Sequence, residues 1–107
     1  MKERRRDTRA IAFFRTEVHY KKKIYVGYIV NISTTGCAFA HENLTQVEEM
    51  ANVRAKFRLD GKLINVAGIV RWRDATIMGL QFVRLTDTAK KQLREYIRAV
   101  TMRRMPL

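Results

Sequence analysis

Residues 53–72, VRAKFRLDGKLINVAGIVRW, decide the fold. Val53, Ala55, Phe57 and Leu59 alternate with Arg54, Lys56 and Arg58. Successive side chains of an extended chain point to opposite faces, so this run presents an apolar face and a cationic one. Asp60-Gly61 follows. A two-residue hairpin turn needs positive φ at both central positions, and Asp-Gly accepts that at little steric cost. LINVAGIVRW then reads as the return strand, with Ile64, Val66 and Val70 on its apolar face and Gly68 marking a bend or bulge.

The same pattern extends in both directions. Upstream, RAIAFFRTEVHY from Arg9 is rich in β-branched and aromatic residues, and Lys21–Lys23 reads as a solvated turn. IYVGYIVNI places Ile24, Val26, Tyr28, Val30 and Ile32 on one face at period two. GCAFA is a short third strand, and the polar, acidic HENLTQVEEM reads as a helical turn or a loop. Downstream, DAT turns the chain and IMGLQFVRL is the last strand. In TDTAKKQLREYIRAV the period changes. Ala89, Leu93, Tyr96, Ile97 and Val100 fall at helical spacing, with Thr86 or Asp87 able to cap the start. Lys90, Lys91, Arg94 and Arg98 lie off that stripe.

The predicted class is mainly β: six short antiparallel strands closed into a small barrel, because closure removes exposed edges, followed by one α-helix with its basic side outward. The expected divisions are a flexible basic arm over 1–8, the barrel over 9–85, the helix over 86–101 and a tail over 102–107, all within one domain. The arm, MKERRRDT, has almost no apolar side chains with which to offset the entropy of ordering.

The chain has 107 residues, 47% of them hydrophobic, enough for one core. Its net charge of +12 points to an anionic partner. Cys37 is the only cysteine, which excludes an intrachain disulfide and fits a reducing compartment; it reads as a small buried hydrophobe. The charged N-terminus has no apolar segment behind it and is not expected to act as a secretory signal. No run approaches the roughly 18–20 apolar residues of a membrane helix. A cytoplasmic location is expected. Catalysis is poorly served. His19 and His41 lack partners at metal-ligand spacing, Ser33 lacks a nucleophile-elbow context, and no phosphate-cradling glycine loop is present. No enzyme activity, metal or cofactor is expected.

Two clusters stand out. In RRRDTR, Arg5 and Arg9 are four apart, with Arg4 and Arg6 beside them. Guanidinium forks match phosphate oxygens and the O6/N7 edge of guanine, though a solvated tail would look the same. In NISTTG, Asn31 can donate to and accept from a base edge, and Ser33 can donate to a phosphate. Gly36 offers a position open to positive φ and to close ligand approach. An ordinary turn between strands two and three is the other reading. Trp72, with Arg73 beside it, is either a stacking platform for a base or a core residue on the Ile64, Val66, Val70 face.

Taken in order, these clusters resemble the signature of the PilZ domain family, bacterial receptors of cyclic di-GMP: RxxxR, a first strand pair, then [DN]xSxxG. Arg5-Arg6-Asp7-Thr8-Arg9 matches the first part, and Asn31-Ile32-Ser33-Thr34-Thr35-Gly36 the second. GIVRW and MGLQFVRL look like the family's final strands, so the likeness spans nearly the whole chain. The resemblance implies a six-stranded antiparallel PilZ-type barrel with a C-terminal helix, and cyclic di-GMP as the ligand. It implies that Arg5 and Arg9 grip guanine edges and phosphates, that Asn31 bonds a guanine, that Ser33 meets a phosphate and that Gly36 lets the turn approach. Arg4, Arg6, Trp72 and Arg73 are weaker candidates. The implied role is a receptor that relays the nucleotide signal to a downstream protein in motility, exopolysaccharide or biofilm control. Two alternatives stand beside it. One is a small basic barrel binding single-stranded nucleic acid, for which YVGY is the one suggestive feature and an aromatic cluster is missing. The other is a PilZ-like interaction module without ligand.

Overall fold

The computed structural model of the chain describes residues 9–103. In them the order is β1 (Ala10–Tyr20), β2 (Lys23–Ile32), β3 (Gly36–Ala40), β4 (Asn52–Leu59), β5 (Lys62–Arg73), β6 (Ile77–Val83) and α1 (Asp87–Arg103). The strands are all antiparallel and close into a barrel in the order β1-β2-β3-β6-β5-β4. The expected arm and its arginines Arg4, Arg5 and Arg6 lie outside the described residues. The helix continues through Met102, where the sequence suggested the start of a tail.

β4 and β5 form the hairpin that the Asp-Gly turn dictates, paired from Asn52↔Ile69 to Leu59↔Lys62. Asp60 and Gly61 both take positive φ, 50° and 81°. Val53, Ala55, Phe57 and Leu59 point into the core with Ile64, Val66 and Val70 from the return strand. Gly68 sits in the regular ladder opposite Val53 and Phe82; the bulge of β5 comes later, between Val70 and Trp72.

In β2 the period-two face does not turn to the core as a whole. Tyr25 and Ile29 are buried, whereas Ile24, Val26 and Tyr28 face outward. Both faces of this strand carry apolar residues, so alternation alone could not say which one faces the core. A register shift between Ile29 and Asn31 then turns Ile32 back inward. The segment 41–50 is a loop that contributes to the core: Leu44 and Val47 are fully buried, and the Leu44 N–H donates to the Ala75 carbonyl (2.7 Å).

Thr86 caps α1, its Oγ1 accepting from the Ala89 N–H (3.0 Å). Leu93 and Ile97 are buried at i, i+4, with Tyr96 and Val100 packed beside them. Tyr96 meets Phe14 edge-on at 5.9 Å, and Phe14 in turn tilts against Phe57 at 5.6 Å. The helix is thereby fixed to β1 and β4, with Lys90, Lys91, Arg94 and Arg98 exposed.

Candidate functional site

NISTTG links β2 to β3, and the turn is built on Ser33. The Ser33 N–H donates to the Gly36 carbonyl (2.8 Å), and its Oγ accepts from the Thr35 and Gly36 N–H groups (3.1 and 3.2 Å). Ser33 is fully buried, so its hydroxyl shapes the turn and does not line the cleft beside it. Thr35 lines that cleft instead.

Gly36 has no positive φ. It is needed for a different reason: a Cβ there would strike the Leu80 carbonyl oxygen across the β3–β6 ladder. The residue lets β3 lie flush on β6, which draws the turn over the end of β5 and β6. Among the described half-motif residues, Arg9 and Asn31 meet directly, Arg9 Nη1 donating to Asn31 Oδ1 at 2.8 Å. They are 22 positions apart in sequence and adjacent because β1 pairs with β2.

Together these elements bound an open cleft of about 360 Å³, walled by Arg9, Asn31, Thr35, Arg71, Trp72 and Gln81, with Gly36 and Gly79 in its floor. Among the described residues two guanidinium groups and no carboxylate line it, so its potential favours an anion. Cys37 lies beneath. Burial pushes its thiol up to about 12, against a smaller opposite pull from the Arg9 cation.

Trp72 is half-exposed, at 45%, and is not a core residue. Strict alternation would have sent it inward after Val66, Gly68 and Val70. The register shift between Val70 and Trp72 turns it out over β6, where its indole lies on Gly79. Any side chain at position 79 would collide with that ring. Arg73 does not line the cleft; its Nη1 reaches the Asp74 carbonyl at 3.5 Å. Sequence reasoning missed Arg71, Thr35 and Gln81. Arg71 reads as one more outward cation of an alternating strand, like Arg54, and only barrel closure brings it to the NISTTG turn.

A larger groove, about 770 Å³, lies across β4, β5 and the start of α1, with Arg54, Arg84, Asn52 and Asn65 on its walls. It gathers none of the motif residues, and Arg54 is tied to Asn65 at 2.9 Å. Among the described residues no group of three His, Cys, Asp or Glu could hold a metal ion, and no helix is long and apolar enough to cross a membrane.

The model of the PilZ domain family matches residues 3–99. The chain belongs to the PilZ domain family. Its barrel is similar to several solved structures. It resembles the inhibitor of motility MotI/DgrA of Bacillus subtilis (TM-score 0.85, 18% identity), covering 97% of this chain and 54% of that one. It resembles the PilZ domain of YcgR from Escherichia coli, solved with c-di-GMP (TM-score 0.78, 12% identity, 94% of each chain). It also resembles MrkH of K. pneumonia, solved as a c-di-GMP complex (TM-score 0.77, 18% identity), covering 95% of this chain and 54% of that one. This PilZ domain therefore spans about half the length of MotI/DgrA and MrkH. At such identities the likeness concerns the fold. No curated protein matches the sequence at a significant level.

Proposed function

We propose that this PilZ domain is a cytoplasmic, non-catalytic receptor for cyclic di-GMP that passes the signal to a protein partner, in the control of motility, exopolysaccharide or biofilm. The observation that carries this reading is the Arg9–Asn31 contact at 2.8 Å on the rim of a cationic cleft, where the two halves of the family signature come together. YcgR and MrkH, which share the fold, were solved with the same dinucleotide, and this supports the choice of ligand.

The ligand carries two phosphate charges and two guanines, and the cleft offers complementary groups. Arg9, joined by Arg5 from the preceding segment, takes guanine O6/N7 edges or phosphate oxygens as a bidentate donor, worth roughly 1–3 kcal/mol of discrimination per pair. Arg4 and Arg6 supply auxiliary charge. Asn31, which already accepts from Arg9, has its amide donors for a guanine edge. Arg71 adds a second cation, and the exposed indole of Trp72 offers a face to a purine. Ser33 acts through the turn it holds, and Gly36 through the close approach of β3 to β6.

Isothermal titration of the full chain with cyclic di-GMP tests the reading, with GTP and a short single-stranded DNA as controls. Saturable binding of the cyclic dinucleotide alone, at micromolar affinity or tighter and weakened at least about tenfold in Arg9→Ala, is the expected result. The stoichiometry gives the number of ligands per chain. Absence of heat with the dinucleotide, combined with tight and steeply salt-dependent DNA binding, would sink it.

A further inference from the structure

The outer face of the β1–β2 hairpin carries large apolar side chains interleaved with Arg15, Glu17 and His19, and among the described residues those apolar side chains stay exposed. Among the described residues, nine large hydrophobic side chains are exposed, and five of them lie here: Ile11, Phe13, Ile24, Val26 and Tyr28. Exposed hydrophobes scattered singly are ordinary, whereas a contiguous group is not. Phe13 is 71% exposed and stacks face to face on Tyr28, centroids 4.5 Å apart and planes within 5°. The stack stands at the middle of the face, with Ile11 on one side and Val26 and Ile24 running toward the hairpin tip.

The surroundings are cationic. Arg15 stands opposite Tyr28 on the paired strand. Lys21, Lys22 and Lys23 form the exposed tip, and Arg54, Lys56 and Arg58 run along β4 on the far side of β1. Glu17 is the only carboxylate on either strand, and it is already within 3.2 Å of His19 Nε2. The barrel is closed, so β1 and β2 have no free edge, and a partner must dock through side chains rather than by adding a strand.

We propose that this face is a protein-docking surface whose partner presents an apolar anchor flanked by aspartate or glutamate, the anchor seated on the Phe13–Tyr28 stack and the carboxylates on Arg15 and the lysine tip. A second copy of the chain is disfavoured, because a two-fold contact through this face would press one cationic rim against the other. Single-stranded nucleic acid is disfavoured because the two rings spend their facing surfaces on each other, so they do not form a platform for successive bases. The proposal stands on this face alone and does not require the nucleotide reading.

The test is photo-crosslinking from the full chain in the cells that encode it. A benzophenone amino acid replaces Phe13 or, as a control, the exposed Leu63 on β5. The Phe13 label is expected to give one discrete protein adduct that the Leu63 label does not give. Its crosslinked peptide should carry an apolar residue flanked by Asp or Glu. That peptide, synthesised, should bind the purified chain, and Arg15→Glu or Val26→Ser should weaken it roughly thirtyfold, the size of one hot-spot loss. Melting curves establish that each variant is folded; Arg15 is exposed, so Arg15→Glu remains decisive if Val26→Ser is not. An adduct of twice the chain's own mass, a nuclease-sensitive adduct, a lipid adduct, no adduct, or a peptide indifferent to Arg15→Glu would each overturn the proposal.

Discussion

The β4–β5 hairpin and the site end of the barrel obey the same pairing rules to different ends. From Asn52↔Ile69 to Leu59↔Lys62 the hairpin ladder is unbroken, and its side chains alternate strictly between core and solvent. Around the cleft the register shifts between Ile11 and Phe14 in β1, between Ile29 and Asn31 in β2, and between Val70 and Trp72 in β5. Each shift lies next to a residue of the cleft. A bulge re-aims the side chains that follow it. In this way Trp72 leaves the core and Ile32 enters it within one small barrel. Regular pairing supplies stability, and interrupted pairing supplies the site.

Substitutions can separate the two regions. The largest effect on folding belongs to the regular one. Phe57 is buried between Phe14 and Phe82, and Phe57→Ala should cost about 3–5 kcal/mol by chemical denaturation. Where the variant remains folded, ligand affinity should hold; a selective loss of affinity would mean that the two regions are not separable. Gly36→Val should strike both, because its side chain must displace the Leu80 carbonyl that seats the turn. About 3 kcal/mol of stability and most of the ligand affinity should go together. Unchanged stability would disprove the close-approach account of this glycine.

Arg9→Ala is the converse case. Arg9 is exposed, so the melting temperature should stay put while cyclic di-GMP binding falls roughly ten- to a hundredfold, the equivalent of one lost bidentate pair. Ser33→Ala should act more weakly, removing about 1 kcal/mol from the turn and weakening binding only several-fold, since the hydroxyl serves backbone N–H groups rather than the cleft. A loss as severe as that of Arg9→Ala would indicate direct contact with ligand.

The last effect is a pH dependence, absent at neutral pH. The folded thiol of Cys37 titrates near 12, above its ordinary value of 9.0, because burial penalises the thiolate. Above pH 9 the unfolded chain gives up this proton and the folded one keeps it. Cys37 therefore withdraws stability as pH rises from 9 towards 12. Denaturation at stepped pH should show the wild type losing stability relative to Cys37→Ala across that window, with the two parallel below it. Parallel curves throughout would place the thiol nearer to water than the structure does.

Much of this was legible in the residues. Asp60-Gly61 and the strict alternation of 53–59 are local signals with one physical solution, and the helical stripe ending in Val100 is another. The half-motifs could be named from spacing, because arginine forks and an Asn-Ser-Gly turn carry their chemistry wherever they lie. Less legible was β2, where Ile24, Val26 and Tyr28 and their neighbours Tyr25 and Ile29 are apolar on both faces. Leu44 and Val47 were hidden in a segment whose composition is polar.

The sequence by itself determined the strand and helix periods, the turn chemistry, the charge and the membership of the two half-motifs. All of these depend on neighbours within a few positions. The tertiary structure alone decided which face of β2 turned outward, that Trp72 left the core, that Ser33 spent its hydroxyl on the turn, and that Arg71 and Gln81 joined the cleft. Those outcomes depend on register and closure between strands remote in sequence, where a shift of one residue exchanges inside for outside.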